Sequence, residues 1–246
     1  MKGKLFIVGI GPGNIHNMTI RAYNTIKNCD VLAGYTVYIE QIKDLSEGKE
    51  IISKGMGQEI ERCKLAIKSC REGKQVALVC SGDSGLYGMA GLSLEIIDKM
   101  SMEERPEVEI IPGVTAALSS SSLLGAPIVE DFCTISLSDY MTPLSKIMNR
   151  LEKASEADFT IALYNPRSSV RQDYLKEALA IVSKYRGSET PVGIVRNAYR
   201  ADEKIQITTL EKLDVDLVDM FCTLIIGNSK TRAIDGFMVT SRGYNI

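Results

Sequence analysis

The chain has 246 residues and a formal net charge of -2, which allows one large or two modest α/β domains at roughly 100 to 200 residues each. It carries no basic run, which argues against a nucleic-acid-binding surface. The opening MKGKLFIVGIGPG has no signal-peptide pattern, and the most apolar stretch, Val114 to Val129, is broken by four serines and Pro127; a soluble, cytoplasmic protein without a membrane span is expected.

Lys4 to Ile10 reads as a first strand, followed by the turn Gly9-Ile10-Gly11-Pro12-Gly13-Asn14. The turn resembles a dinucleotide fingerprint, but Pro12 removes an N–H where a pyrophosphate needs one and Asn14 stands for the last glycine. Thr19 to Asn28 reads as a helix, Val31 to Gly34 as a strand with no acid at its end to hold a ribose, and Glu50 to Ser53 as a short strand. Glu59 to Glu72 places Ile60, Cys63, Ile67 and Cys70 on one helical face and stops at Gly73.

Val76 to Cys80 is a buried strand by pattern, and Leu86 to Met100 has apolar residues at helical spacing. The stretch between them, V-C-S-G-D-S-G-L-Y-G-M from Val79 to Met89, is a strand-to-helix turn of the kind where ligands collect. Gly82, Gly85 and Gly88 permit close backbone approach. Asp83 disfavours a phosphate and suits a hydroxylated or cationic ligand. The plainer account is a glycine turn whose acid caps the next helix. Val108 to Ile111 and Pro112-Gly113-Val114-Thr115-Ala116-Ala117 repeat the junction, ahead of a helix of small residues to Leu124.

Gly125-Ala126-Pro127 suggests a domain boundary, giving domains 1–124 and 125–246. The second half reads as strand Phe132 to Leu137, a helix starting at Thr142-Pro143, strand Phe159 to Tyr164, a helix from about Val170 to Lys184, then strands Val192 to Val195, Lys204 to Thr209 and Phe221 to Ile226. Strands alternating with helices in both halves imply two α/β domains meeting at a cleft. The six cysteines, without a C-x-x-C, read as reduced core residues, and the single histidine, His16, gives no basis for a metal site.

Five of these turns occur together in one family. G-I-G-P-G at Gly9 to Gly13, S-G-D-S-G-L-Y-G at Ser81 to Gly88, I-P-G-V-T-A at Ile111 to Ala116, L-Y-N-P at Leu163 to Pro166 and T-L-I-I-G at Thr223 to Gly227 resemble, in order, the S-adenosylmethionine-dependent tetrapyrrole (corrin and porphyrin) methyltransferases. Many relatives have Gly-Asp-Pro where this chain has Gly82-Asp83-Ser84. The stretch Glu130 to Pro143, with Tyr164 to Ser168, looks most like the branch that methylates C17 of precorrin-3B, or of its cobalt form, and contracts the ring in cobalamin biosynthesis.

The resemblance implies S-adenosylmethionine as cofactor, folded in a cleft between the domains. Gly82, Asp83, Leu86 and Tyr87 would hold its methionine and ribose parts beside Thr115 and Ala116, while Cys133, Leu163, Ala198 and Thr223 would line the adenine pocket. Pro12 would face the corrinoid substrate, and Arg167, Arg171 and Arg196 are candidates for its carboxylates or ordinary surface arginines. Asp139 and Ser138 are candidates for the proton transfers of ring contraction, or simply a capped turn. The resemblance also suggests a homodimer, with Val37, Tyr38 and Ile39 either serving it or lying in the core. The competing readings are a relative acting at another corrin position or on diphthine, and a nicotinamide-dependent reductase using Gly9 to Asn14.

Overall fold

The structure, a computed structural model, describes residues 3–168 and 170–245. The chain separates into two compact units, Met1–Ala116 and Ala117–Ile246. In the first unit, the elements in chain order are β1 (Lys4–Gly9), α1 (Ile20–Asn28), β2 (Val31–Tyr35), α2 (Thr36–Gln41), β3 (Glu50–Lys54), α3 (Glu59–Arg71), β4 (Gln75–Cys80), α4 (Ala90–Asp98) and β5 (Glu107–Ile111). The strands form one sheet in the order β3-β2-β4-β1-β5 with every pair parallel.

A parallel sheet covered on both faces needs strands that are apolar on both sides, and LFIVG and VALVC supply them. Leu5, Ile7, Val76 and Leu78 pack toward Cys63, Ala66 and Ile67 of α3 and Ala90 and Ile97 of α4. Val8, Leu32, Ala77 and Val79 pack on the other face with Ala22 and Ile26 of α1. The chain therefore leaves β1 on one face and its neighbour β4 on the opposite face. Their carboxyl ends form the crevice where open α/β sheets bind ligands.

The second unit holds α5 (Ala116–Leu124), β6 (Gly125–Ala126), β7 (Phe132–Ser136), α6 (Leu144–Glu156), β8 (Thr160–Tyr164), α7 (Tyr174–Val182), β9 (Pro191–Arg196), β10 (Lys204–Thr209), β11 (Cys222–Ile226), β12 (Thr231–Ile234) and β13 (Phe237–Thr240). Its main sheet, β10-β9-β11-β8-β7, is mixed: β7 runs parallel to β8, and the other neighbours are antiparallel. A small sheet, β12-β13-β6, completes it. One face of the main sheet packs on Ile147 and Leu151 of α6 and Leu175 and Ala178 of α7. The other packs on Ala117 and Leu124 of α5 and Met238 of β13. That packing groups all of α5 but its first residue with the second unit, whereas the sequence pattern suggested a division after Leu124.

Several elements differ from expectation. Residues 86–89 belong to the turn, and α4 begins only at Ala90, because Tyr87 sits at φ 55 and breaks the helical backbone. Helix α7 begins at Tyr174 rather than near Val170, and the residue at the N-cap position of α6 is Pro143, which makes no side-chain bond, rather than Thr142. Ile60 is 56% exposed, so the buried stripe of α3 runs through Arg62, Cys63, Ala66, Ile67, Ser69 and Cys70. Helix α2 was not expected; within it Tyr38 and Ile39 pack against the core while Val37 is exposed. No helix among the described residues is long and apolar enough to cross a membrane.

Candidate functional site

The loops after β1, β4 and β5 meet backbone to backbone. Gly11 N–H donates to the Gly82 carbonyl at 3.0 Å and Gly82 N–H returns a bond to Gly11 at 2.8 Å, with Ile10 N–H bound to the Cys80 carbonyl at 2.9 Å. A methyl group on Gly9 would lie 2.6 Å from the Gly113 nitrogen and 2.7 Å from the Gly82 oxygen. No side chain fits between these loops, which is the first reason for their glycines. Pro12, expected to face a substrate, is buried, next to the Gly11–Gly82 bridge.

Asp83 lies at the centre of this junction. Its Oδ1 accepts from the N–H groups of Gly85 at 2.8 Å and Leu86 at 3.1 Å, and its Oδ2 accepts from Gly113 N–H at 3.0 Å. It is therefore not the cap of α4, whose N-cap Met89 makes no side-chain bond; it closes its own turn and ties it to the loop after β5. Ser84 is buried and donates to the Ile111 carbonyl at 3.1 Å, tying the same two loops a second time. Beside them, Thr115 Cα and Ala116 N lie 3.6 and 3.7 Å from where a methyl on Gly82 would stand. Thus Gly82, Asp83, Thr115 and Ala116 are brought together, with Leu86 on the same turn and Tyr87 52% exposed at its tip. Residues 9–14, 81–89 and 111–117 contain one acid and no base, so the junction does not attract phosphate and does not repel a cation.

In the second unit the four candidates do not share a face. Leu163 pairs with Leu224 and Ile135, and its side chain is wholly buried with Cys133 against the helices α6 and α7. Strand alternation turns Thr223, opposite Val195, to the other face. There Val195 packs with Ala117, Ala162 and Ala198. As side chains, Thr223 and Ala198 can therefore line one surface, and Cys133 and Leu163 cannot join it.

The candidate acid and arginines are all engaged within the unit. Arg171 Nη1 donates to Ser138 Oγ at 2.9 Å and to Asp139 Oδ1 at 3.2 Å, and the Tyr174 hydroxyl donates to Asp139 Oδ2 at 2.8 Å. The Tyr174 bond, with help from Arg171, holds the Asp139 carboxyl below its ordinary range, and the same bond pushes the Tyr174 phenol up. Asp139 is thus a carboxylate at neutral pH, unsuited to donating a proton. Tyr174 was missed from sequence because it lies 35 positions from its partner. Arg167 donates to the Val215 carbonyl at 2.7 Å and pairs with Asp216 at 2.9 Å. Arg196 pairs with Asp202 at 2.7 Å and Asp219 at 2.9 Å and lies over the Phe221 ring.

All six cysteines are free thiols, five of them buried. Burial pushes the thiols of Cys70 and Cys80 up to about 12 and those of Cys133 and Cys222 up to about 11, so none is a poised nucleophile.

Comparison with known proteins finds similar chains and a similar fold. The chain is 44% identical over 242 residues to the probable cobalt-factor III C(17)-methyltransferase of Salmonella typhimurium, covering 98% of this chain and 100% of that one. It is also 44% identical to the cobalt-factor III methyltransferase of Priestia megaterium, over 99% of this chain but only 46% of that protein's length. The crystal structure of the methyltransferase CobJ superimposes with a TM-score of 0.92 at 29% identity, covering 97% of this chain and 100% of that one. The family model for tetrapyrrole (corrin/porphyrin) methylases matches residues 4–214. The glycine-loop junction, the two α/β units and that match together establish that the chain belongs to the tetrapyrrole methylase family.

Proposed function

We propose that this chain transfers a methyl group from S-adenosylmethionine to C17 of a corrin precursor, cobalt-factor III or precorrin-3B, with contraction of the ring, in cobalamin biosynthesis. The observation that carries the reading is the match along the full length of a C(17)-methyltransferase. The loops fit such a cofactor: they are uncharged apart from Asp83, backbone-rich, and placed at the carboxyl ends of the β1–β4 crevice. Gly82, Asp83, Leu86, Tyr87, Thr115 and Ala116 would hold the cofactor, and Thr223 and Ala198 remain the side-chain candidates for its adenine.

The cofactor supplies a methyl already activated by its sulfonium, so the protein's residues need only align the acceptor carbon and exclude water. Asp83 fixes two loops rigidly enough to keep that alignment, and its charge favours a cationic guest over a phosphate-bearing one. Asp139, ionised and braced by Tyr174 and Arg171, acts in this reading as a proton acceptor or a fixed charge and not as a donor. A cytoplasmic homodimer belongs to the same reading, with light scattering as its test.

Calorimetric titration with S-adenosylhomocysteine and with NADH tests the cofactor: the first should bind and the second should not, and the opposite result would favour the reductase reading. Offering each corrin intermediate, and diphthine's protein precursor, with labelled methyl donor tests the substrate, since only one should accept label.

A further inference from the structure

A cavity of 170 Å³ lies in the first unit, at the ends of β2 and β4 and the start of α3, where Tyr35, Tyr38, Met56, Glu59, Arg62 and Tyr87 contribute to its wall. Ser81, Tyr87, Gly88 and Met89 of the Ser81–Met89 turn also line it, whereas Asp83 and Ser84, whose side chains tie the loops, do not. At about 30 Å³ per water, it has room for a short acid arm and a little solvent.

Arg62 is 4% exposed, yet its charge is poorly matched. Nη1 reaches the carbonyls of Lys54 and Gly55 at 3.3 Å each, and the Nη2 contacts are Met89 Sδ at 3.9 Å and Glu59 at 3.7 Å. Nε has no partner. Charge-assisted bonds normally run at about 2.7–2.9 Å, and Arg62 has none that short. Arg186, the other buried arginine among the described residues, shows what a purely structural one looks like. Its Nη1 donates to Ser155 O at 2.6 Å, its Nη2 to Phe159 O at 3.0 Å and its Nε to Gly227 O at 3.4 Å, with Asp158 at 3.0 Å. Burying a guanidinium without a close acceptor is costly, and this one borders a cavity large enough to admit the acceptor.

We infer that the cavity is a carboxylate subsite, in which Arg62 pairs with an acid arm of the tetrapyrrole while Tyr35 and Tyr38 line the arm. Glu59 holds Arg62 only at long range, its Oε1 accepting instead from Gly57 N–H at 3.1 Å, and at 36% exposed it stays on the solvent side when the arm enters. The inference rests on the tetrapyrrole reading above, and the test separates the two.

The probe is a porphyrin bearing eight carboxylates, titrated by fluorescence, with a porphyrin bearing cationic arms as control. Two variants are compared with the parent chain: Arg62→Met, which removes the cation, and Met56→Asp, which adds a charge at a wall position that is 66% exposed and spares the fold. Both should weaken carboxylate-porphyrin binding by about tenfold, leave S-adenosylhomocysteine binding unchanged, and not weaken the cationic control. Unchanged carboxylate-porphyrin affinity in Met56→Asp, or in a folded Arg62→Met, would overturn the subsite alone. A parent chain that binds S-adenosylhomocysteine but no carboxylate porphyrin would overturn the tetrapyrrole reading and the subsite with it.

Discussion

Asp83 is the residue whose surroundings say most about what it does. Three backbone N–H groups from two loops converge on it, so Asp83→Ala leaves three donors without their acceptor and should lower stability by about 1–3 kcal/mol. Asp83→Asn keeps an acceptor oxygen for the turn but weakens the tie to Gly113, and should fall between the two. Urea melts of the three proteins check this order; equal stability would show that the carboxylate holds nothing together. Tyr174 has a sharper signature. It is the first cause of the low Asp139 pKa, so Tyr174→Phe should move the carboxyl back up toward its ordinary value in a carbon-13 NMR titration. The sign follows from linkage: a depressed folded pKa contributes stability above the unfolded value, and that contribution is lost as pH falls through the folded one. In the variant this loss should be smaller, and stability should vary less across the acid range.

At the scale of elements, two close approaches are built on glycine. Gly113 and Gly9 let the loops after β1, β4 and β5 share one small volume, and Gly113→Ala should cost about 1–3 kcal/mol by overpacking. In the second unit a methyl on Gly193 would run into the side chain of Leu124, 2.6 Å from its Cδ2. Gly193→Ala alone should therefore destabilise, and Leu124→Ala alone should cost about 2–5 kcal/mol by opening a cavity. Together they should cost less than their sum, because each relieves the other; additive losses in a double-mutant cycle would mean that strand and helix do not meet there. These approaches were only partly legible beforehand. The glycine runs at Gly9–Gly13 and Gly82–Gly88 marked the loops correctly, but that Gly113 packs on Gly82 depends on β1 lying between β4 and β5, which no local pattern states. The start of α4 was misplaced because Leu86 and Met89 fall at helical spacing inside a turn held by Asp83.

For the whole molecule, the α/β make-up of both units was readable because strands and helices alternate along the chain, and the parallel direction of the first sheet is a finding of the structure. The mixed direction of the second sheet was not readable either, since an apolar run reads the same in a parallel or antiparallel neighbour. That matters for the site: the resemblance placed Leu163 and Thr223 in one pocket, and strand alternation puts their side chains on opposite faces. The arginines Arg167, Arg171 and Arg196 were likewise chosen by position on loops, and each has an acid from within its own unit that sequence spacing does not reveal. What survives at this scale is the order of five glycine- and small-residue motifs along two α/β units, and the family match that spans both.

The most direct test of methyl transfer by this chain is a single-turnover reaction with S-adenosylmethionine carrying a carbon-13 methyl group and cobalt-factor III, read by NMR of the isolated corrinoid. One enriched methyl signal bonded to C17 is the expected result. A macrocycle without label, or label at a different ring carbon, would contradict it.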